Sequence, residues 1–172
     1  INGCLVGSEM CIRDRPGDDP AILGHATLGP TDPVEVRTFQ SFTLIYTVGS
    51  LGLDDTGGIR IAWRRIGDSG LMQTQKPAAP NYVSAQSNGE GRLSLDYSRR
   101  GGQRPWGEIL TITQHGGYLR PGETITIRVG DRSGGSPGLL MQTFAEAGRD
   151  FVVMADVQAS GNFYPLPDCQ LY

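Results

Sequence analysis

The chain alternates apolar and polar residues over many short segments. In the clearest one, residues 124–129, Ile125, Ile127 and Val129 share one face and polar residues occupy the other. A period of two is typical of a β-strand with one buried face. An Arg-Pro-Gly-Glu turn signal precedes this segment, and a loop rich in Gly and Pro, residues 130–138, follows it. We therefore predict a strand between two loops, a unit that recurs along the chain.

The same rhythm predicts further strands, with turn signals every ~8–12 residues. Residues 139–147 are rich in helix formers, but so short a segment makes a marginal helix, and we expect extended structure with a single turn. The pattern predicts an all-β fold, an antiparallel β-sandwich of the immunoglobulin-like or jelly-roll-like type. We expect seven to nine short strands and at most one short helix. We expect residues 16–33 to form an extended lead-in with one edge strand. The other predicted strands are 34–37, 42–48, 59–65, 82–86, 92–97, 106–113, 124–129 and 151–157.

Composition adds limits to this picture. A chain of 172 residues fits one domain, and a domain of about 150 residues buries ~68–70% of its unfolded surface, enough for a real core. The net charge of −3 gives little attraction to nucleic acid or to an anionic membrane. No apolar run approaches the ~20 residues that span a bilayer. We predict neither a nucleic-acid partner nor a membrane span.

The first residues do not fit the rest of the chain. Residues 4–14, Cys-Leu-Val-Gly-Ser-Glu-Met-Cys-Ile-Arg-Asp, resemble a reading-frame translation of a transposase adapter used to prepare DNA sequencing libraries. The alternative is a native N-terminal segment. We treat 1–15 as a non-native, adapter-derived segment of a metagenomic fragment, 16–164 as the β-sandwich domain, and 165–172 as an extended tail or linker to a missing region. Only Cys169 then remains of three cysteines, and no redox compartment can be inferred.

One motif suggests catalysis but lacks the chemistry. Residues 134–138 match G-x-S-x-G, with Ser136 in the place of a nucleophile. The oxyanion hole of that motif needs the backbone N–H of the next residue, and Pro137 has none. Both histidines, His25 and His115, precede the serine, and neither has Cys or Glu at metal-site spacing. We assign no catalytic residue.

Candidate ligand-binding residues border the loops. Trp106 and Tyr82 could stack against a sugar ring, although aromatic residues on strongly apolar faces, such as Trp63 and Tyr46, are expected in the core. Arg104 belongs to a basic loop that could contact an anion. The successive N–H groups of residues 130–138 could form an anion nest to which Arg132 adds charge. For the loop arginines, solvated surface is the alternative.

Three loop aspartates are candidate metal ligands. Asp54 and Asp55 lie in one Gly-rich loop, and Asp131 opens another. If the loops met at one end of a sandwich, these side chains could contribute to a Ca²⁺ site, which takes six to eight oxygen ligands. The alternative is that each aspartate hydrogen-bonds its own turn.

Several short sequences resemble a known family. They are Gly-Leu-Asp-Asp at 52–55 with Gly-Gly at 57–58, Pro-Ala-Ala-Pro-Asn-Tyr-Val at 77–83, Arg-Pro-Trp at 104–106, Leu-Arg-Pro-Gly at 119–122, and residues 130–138 with Met-Gln-Thr-Phe at 141–144. Together, over about 24–163, they resemble the N-terminal β-rich region of a family of long bacterial proteins of unknown function. A later region of that family looks like a metal-dependent hydrolase of the PHP type. The His-rich motif of that hydrolase is not in this sequence, so the resemblance implies an accessory domain and transfers no catalytic residue.

We therefore favour a non-catalytic accessory β-sandwich domain of a larger bacterial protein. It would pack against a neighbouring domain of the parent chain, with loops 49–58 and 130–138 as its contact surface. The alternatives are a carbohydrate or small-ligand binding module, assisted by Ca²⁺, and a stand-alone hydrolase. The compartment stays open, with a bacterial extracytoplasmic location compatible with the sequence, and so does the oligomeric state.

Overall fold

The computed structural model describes residues 20–64, 67–102, 105–146 and 151–166. A single helical turn, α1, precedes a series of strands, eight of which have five to eight residues. Within the described ranges, no helix is long and apolar enough to cross a membrane. The elements are α1 Pro20–Leu23, β1 His25–Gly29, β2 Phe39–Gln40, β3 Phe42–Thr47, β4 Gly58–Trp63, β5 Val83–Ser87, β6 Arg92–Ser98, β7 Glu108–His115, β8 Thr124–Val129, β9 Leu139–Leu140, β10 Phe151–Asp156 and β11 Tyr164–Pro165.

The strands form two main antiparallel sheets and one small one. Sheet one has the order β1-β3-β8-β5, and sheet two has the order β11-β10-β4-β7-β6. Strands β2 and β9 make a separate two-stranded pair. The predicted all-β antiparallel sandwich is confirmed.

The core lies between the inner faces of the two sheets, as the alternation predicts. Ile125 and Ile127 of β8 are fully buried, opposite Tyr46 and Leu44 of β3. In sheet two, the predicted inward residues Ile59, Ile61 and Trp63 are buried, and so are Val153 and Ala155. Strand β7 contributes Leu110 and Ile112, and it also turns Glu108 and Gln114 inward, one near each end of the strand.

The structure differs from the prediction near the N-terminus. Strand β1 is an edge strand within residues 16–33, where one was expected, and Ala26 and Leu28 of its five residues face the core, opposite Tyr46 and Leu44. Residues 34–37 form no strand, because no segment pairs with them in a ladder. Residues 139–146 are not helical: the two-residue strand β9 is followed by irregular structure with a bend at 143–144. The adapter-like segment 1–15 and residues 167–172 lie outside the described residues. Pro165, the first residue of the predicted tail, pairs with β10 together with Tyr164 of the predicted domain.

The sandwich has two distinct ends. At the far end, turns tie the sheets together: the Leu53 and Leu119 main chains bond to each other, Asp54 N donates to Val157 O, and Thr56 N donates to Gln114 O. We call the other end the cleft end; there β3 begins, β8 finishes, β4 finishes and β7 begins. Six-residue strands separate the ends by about 17 Å at ~3.4 Å per residue.

Candidate functional site

A cleft opens between the sheets at the cleft end. Burial decreases toward it along sheet one: Ile125 and Ile127 are fully buried, but Val129 on the same face is only partly buried. On β3, Tyr46 is likewise fully buried and Phe42 only partly. Inward side chains that should pack against the opposite sheet therefore line open space instead. The cleft encloses about 410 Å³, within the ~300–1,000 Å³ range of small-molecule pockets.

Two connecting segments form the outer walls of the cleft. Residues 30–36 lead from β1 to β2, and residues 139–146 follow the Gly-rich loop. They are tied together by hydrogen bonds from Met141 N to Thr38 O at 2.9 Å and from Arg37 N to Gln142 O at 3.0 Å. The small β2–β9 pair continues this junction. Both segments contribute apolar side chains to the cleft, namely Pro30, Pro33, Val34, Val36, Leu139, Met141 and Phe144.

An aromatic group is fixed in the wall of the cleft on sheet two. The Trp63 indole Nε1 donates to Glu108 Oε2 at 2.5 Å, and its ring stacks on Tyr97 with centroids 6.0 Å apart. Phe151 lies 6.1 Å away at a tilt of 51°. Because the indole is held by both a hydrogen bond and ring contacts, the wall is rigid. Trp63 therefore both lines the cleft and can report on what enters it.

Among the described residues, the polar side chains that line the cleft are few and none of them is positively charged. They are Thr31, Asp32, Glu35, Gln142 and Glu146. The side-chain Nε2 of Gln142 donates to Phe144 O at 3.2 Å and to Glu146 Oε2 at 3.0 Å. The cleft thus combines an apolar interior with acidic side chains on its two connecting segments.

Asp131 is held in place by hydrogen bonds to neighbouring residues of the protein. Its carboxylate accepts hydrogen bonds from the Ser84 hydroxyl and from Ser133 N, the latter at 2.9 Å, and its own N–H donates to Tyr82 O. Burial by itself raises the pKa of Asp131, but the hydrogen bonds from Ser84 and Ser133, with the Arg128 charge, outweigh it and hold the pKa below its ordinary value. This carboxylate closes the loop onto β5.

The three aspartates do not come together. Asp131 follows β8 at the cleft end, whereas Asp54 and Asp55 precede β4 at the far end. Asp55 Oδ1 accepts from Gly116 N at 2.8 Å, which fixes a neighbouring turn. The described part of the chain holds no group of three or more His, Cys, Asp or Glu side chains able to bind a metal. For the same topological reason, loops 49–58 and 130–138 lie at opposite ends and cannot form the single contact surface that we predicted.

Other candidates lie at the cleft end but outside the cleft itself. Arg132 donates from Nη2 to Phe39 O at 2.6 Å, so it fastens its loop to β2. Trp106 is half-buried, with the Arg64 guanidinium 5.6 Å from its ring centroid, and Tyr82 is half-buried at the start of β5. Arg104 lies outside the described residues. Ser136 is buried, and its hydroxyl accepts from Gly138 N at 3.2 Å, as expected of a turn residue.

Sequence reasoning missed the residues that line the cleft. The alternation of Val34 and Val36 with Glu35 suggested a strand, and Phe144 seemed part of a short extended segment. The available signal was the presence of apolar residues in two connecting segments. Only the fold shows that both segments lie over the same gap between the sheets.

The chain matches no protein-family model and none of the curated proteins. Among solved structures it is similar to the CBM3a-L domain with flanking linkers from scaffoldin cipA of the cellulosome of Clostridium thermocellum. The identity is 13%, the match covers 81% of this chain and 87% of that chain, and the TM-score is 0.43. A high-resolution structure of the family 3a carbohydrate binding module from the same scaffolding gives 15% identity, 78% and 97% coverage, and a TM-score of 0.38. Similarity this low carries no argument about function, which has to come from the cleft.

Proposed function

We propose that this chain is a non-catalytic binding domain that holds an apolar ligand in the cleft between its two sheets. The observation that carries the proposal is the loss of burial along β8 and β3 at the cleft end, where inward side chains line about 410 Å³ of space. An engineered apolar cavity of about 150 Å³ binds benzene. The cleft therefore has room for an apolar group roughly two to three times that size.

The arrangement of side chains supports binding rather than catalysis. A hydrolytic site needs a nucleophile, a base and a group that orients the base, all within hydrogen-bond reach. Ser136, the residue in the nucleophile-like motif, is committed to its own turn. Trp63 and Glu108, which are held rigidly by each other, form a wall for an apolar body.

The accessory role is part of the same proposal. The resemblance to the β-rich region of long bacterial proteins suggests that the domain serves a neighbouring domain of a parent chain. In that setting the cleft would hold an apolar part of a substrate, or of the neighbour, close to a second site. The accessory role predicts that the isolated domain shows no hydrolytic activity, whereas a longer protein that contains the domain does.

Carbohydrate binding at Trp106 and Tyr82 remains an alternative with a separate test. If a sugar stacks on Trp106, then Trp106→Ala abolishes binding of that glycan and leaves the thermal unfolding temperature unchanged. A flat calorimetric titration of the domain against a broad glycan panel, with and without Ca²⁺, would remove this alternative.

Trp63 provides the test of the cleft. The chain has two tryptophans, so Trp106→Phe leaves Trp63 as the sole fluorophore. We expect 1-octanol to change its emission saturably. Burial of the octanol chain contributes ~0.8 kcal/mol of binding free energy per CH₂, and the entropy lost on association offsets part of this gain. The Kd of octanol should therefore be on the order of 0.1–1 mM.

A matched pair of variants locates the binding. Val129→Phe places an aromatic ring in the cleft and should abolish the response, whereas Thr126→Phe, on the outer face of the same strand, should retain it. Leu28→Phe is a second blocking variant in case Val129→Phe unfolds. Equal octanol binding by the folded blocking variants and by Thr126→Phe would refute the proposal, and so would no binding by the parent.

A further inference from the structure

We infer that Asn88 is a site of self-modification, where the folded chain converts this asparagine to aspartate through a cyclic imide formed with Gly89. The pair lies in the turn between β5 and β6, beside the start of β8 and therefore at the far end of the sandwich. This inference is independent of the cleft and of the proposed function. The only co-reactant is water.

An asparagine followed by glycine can cyclise, because glycine has no Cβ and leaves its main-chain nitrogen unhindered. Gly89 N attacks Asn88 Cγ, so that a bond between these two atoms forms and the bond from Cγ to Nδ2 breaks. The amide proton of Gly89 passes through solvent to the leaving nitrogen, which departs as ammonia. Water then opens the imide. Opening at Cγ gives aspartate in an unchanged main chain, whereas opening at the main-chain carbonyl carbon gives isoaspartate.

The first observation is that the oxygen that becomes negative already has a hydrogen-bond donor. Asn88 Oδ1 accepts from Thr124 N at 2.7 Å. Attack on Cγ places negative charge on this oxygen, and a main-chain N–H aimed at such an oxygen stabilises the charge. The donor is fixed, because Thr124 is the first residue of β8 and pairs with Thr47 of β3. A second hydrogen bond, from Asn88 N to Thr124 O at 3.2 Å, holds the two residues together.

The second observation concerns the attacking nitrogen. Gly89 N donates to Ser87 Oγ at 3.0 Å, so the proton that must leave already points to an acceptor. Ser87 is half-buried and Asn88 is exposed, which gives solvent access to both reacting groups. A Cβ at position 89 would lie 2.3 Å from Glu123 Oε2 and 2.6 Å from Leu119 Cδ2. A side chain there would displace both neighbours, so the close packing favours the glycine that makes cyclisation possible.

The hydrogen bond from Thr124 also predicts which product forms. In the imide, the former Oδ1 stays on Cγ, so Thr124 N polarises this carbonyl group and not the main-chain one. Water therefore adds at Cγ, and aspartate forms in preference to isoaspartate. Aspartate at position 88 can still accept from Thr124 N. Isoaspartate would lengthen the main chain of a turn whose two ends are fixed by the ladders of β5 and β6.

The other asparagines of the chain serve as internal references. Asn81 and Asn162 precede aromatic residues, whose side chains hinder approach of the next nitrogen. The pair Asn2-Gly3 lies outside the described residues, so conversion has to be assigned peptide by peptide.

Peptide mapping of the full chain tests the inference. The protein is incubated at mildly alkaline pH below its unfolding temperature, then digested, and each asparagine is followed by mass spectrometry with chromatographic separation of aspartate from isoaspartate. We expect Asn88 to convert, with aspartate as the larger share, and Asn81 and Asn162 to stay unchanged. In the same protein unfolded in urea, the contact with Thr124 is lost and isoaspartate should form the larger share.

Two variants calibrate the measurement. Asn88→Asp supplies the authentic product, and it should fold with the circular dichroism spectrum of the parent because it retains the acceptor for Thr124 N. Asn88→Gln should show no conversion at position 88, since glutamine would have to close a larger ring.

An unconverted Asn88 in the folded protein overturns the inference, whatever the unfolded chain does. The same ratio of aspartate to isoaspartate in the folded and the unfolded protein also overturns it, because Thr124 then does not direct the reaction. Neither result bears on the binding of octanol in the cleft, so failure here and failure of the proposed function are distinguishable.

Discussion

Removing the Asp131 carboxylate should destabilise the fold substantially, although the residue lies in a surface loop. Asp131 is 5% exposed and accepts hydrogen bonds from the Ser84 hydroxyl and from Ser133 N. Hydrogen bonds to charged groups contribute about 1.5–3 kcal/mol each. Ser84 is half-buried and can turn toward water after the change. We therefore expect Asp131→Ala to lower the free energy of unfolding by about 2–4 kcal/mol.

Thermal unfolding followed by circular dichroism measures this effect. A domain of this size loses about 2–4 °C in Tm per kcal/mol, so the expected decrease at pH 7 is about 5–15 °C. The matched control is Asp54→Ala, because the exposed Asp54 bonds through its main chain to Val157 and Gly57, and alanine retains those bonds. That change should stay within about ±0.5 kcal/mol.

The stabilisation by Asp131 should also depend on pH in a definite direction. The pKa of Asp131 is lowered in the folded state, so its stabilisation is fully present above the unfolded pKa of about 3.9 and is lost as pH falls through the folded value. The Tm difference between the parent and Asp131→Ala should therefore be constant from neutral pH down to about pH 5, and should shrink below about pH 4.

Two results would refute the structural role of Asp131. One is a Tm for Asp131→Ala at pH 7 within about 1 °C of the parent. The other is stabilisation of the parent, but not of the variant, by millimolar Ca²⁺. That second result would restore the carboxylate as a metal ligand.

Two further changes test how closely the core is packed. Tyr46→Phe removes the buried hydroxyl that donates to Leu23 O at 2.6 Å and should cost about 1–3 kcal/mol in urea unfolding, because the carbonyl is left without a donor; an unchanged midpoint would contradict this. Gly58→Ala places a Cβ 2.2 Å from Ile112 O and should lower the free energy of unfolding by at least about 1–3 kcal/mol through overpacking. The control is Gly29→Ala, which should be nearly neutral because nothing lies within 4 Å of its Cβ. Equal effects of the two changes would show that the close approach at Gly58 is absent.

Most of the core could be predicted from local sequence. The rhythm of Ile125 and Ile127, and of Ile59, Ile61 and Trp63, identifies the buried face of each strand, because successive side chains in a strand point to opposite sides. The edge strand expected within residues 16–33 could not be given bounds from the sequence, because β1 turns only Ala26 and Leu28 toward the core. The partial burial of Val129 could not be predicted for a different reason: alternation marks which side a residue faces, but not whether anything fills the space there.

The candidate site could not be predicted, because it depends on residues that the sequence keeps apart. Asp131 and Asp54 occupy similar Gly-rich loops in the sequence, yet the fold places them at opposite ends of the sandwich. Conversely, Glu35 and Glu146 are far apart along the chain and line one cleft. Hydrogen bonding could not be predicted either. Arg132, a candidate for anion binding, donates a hydrogen bond to Phe39 O and so holds its loop against β2.

The sequence by itself determined which side of each strand is buried and that two sheets would close over one core, because side-chain alternation and turn chemistry act over a few residues. Only the tertiary structure decided where the sheets fail to meet and which connecting segments line the gap. Those features arise from contacts between distant segments, and their geometry is set by the packing of whole sheets rather than by any local pattern.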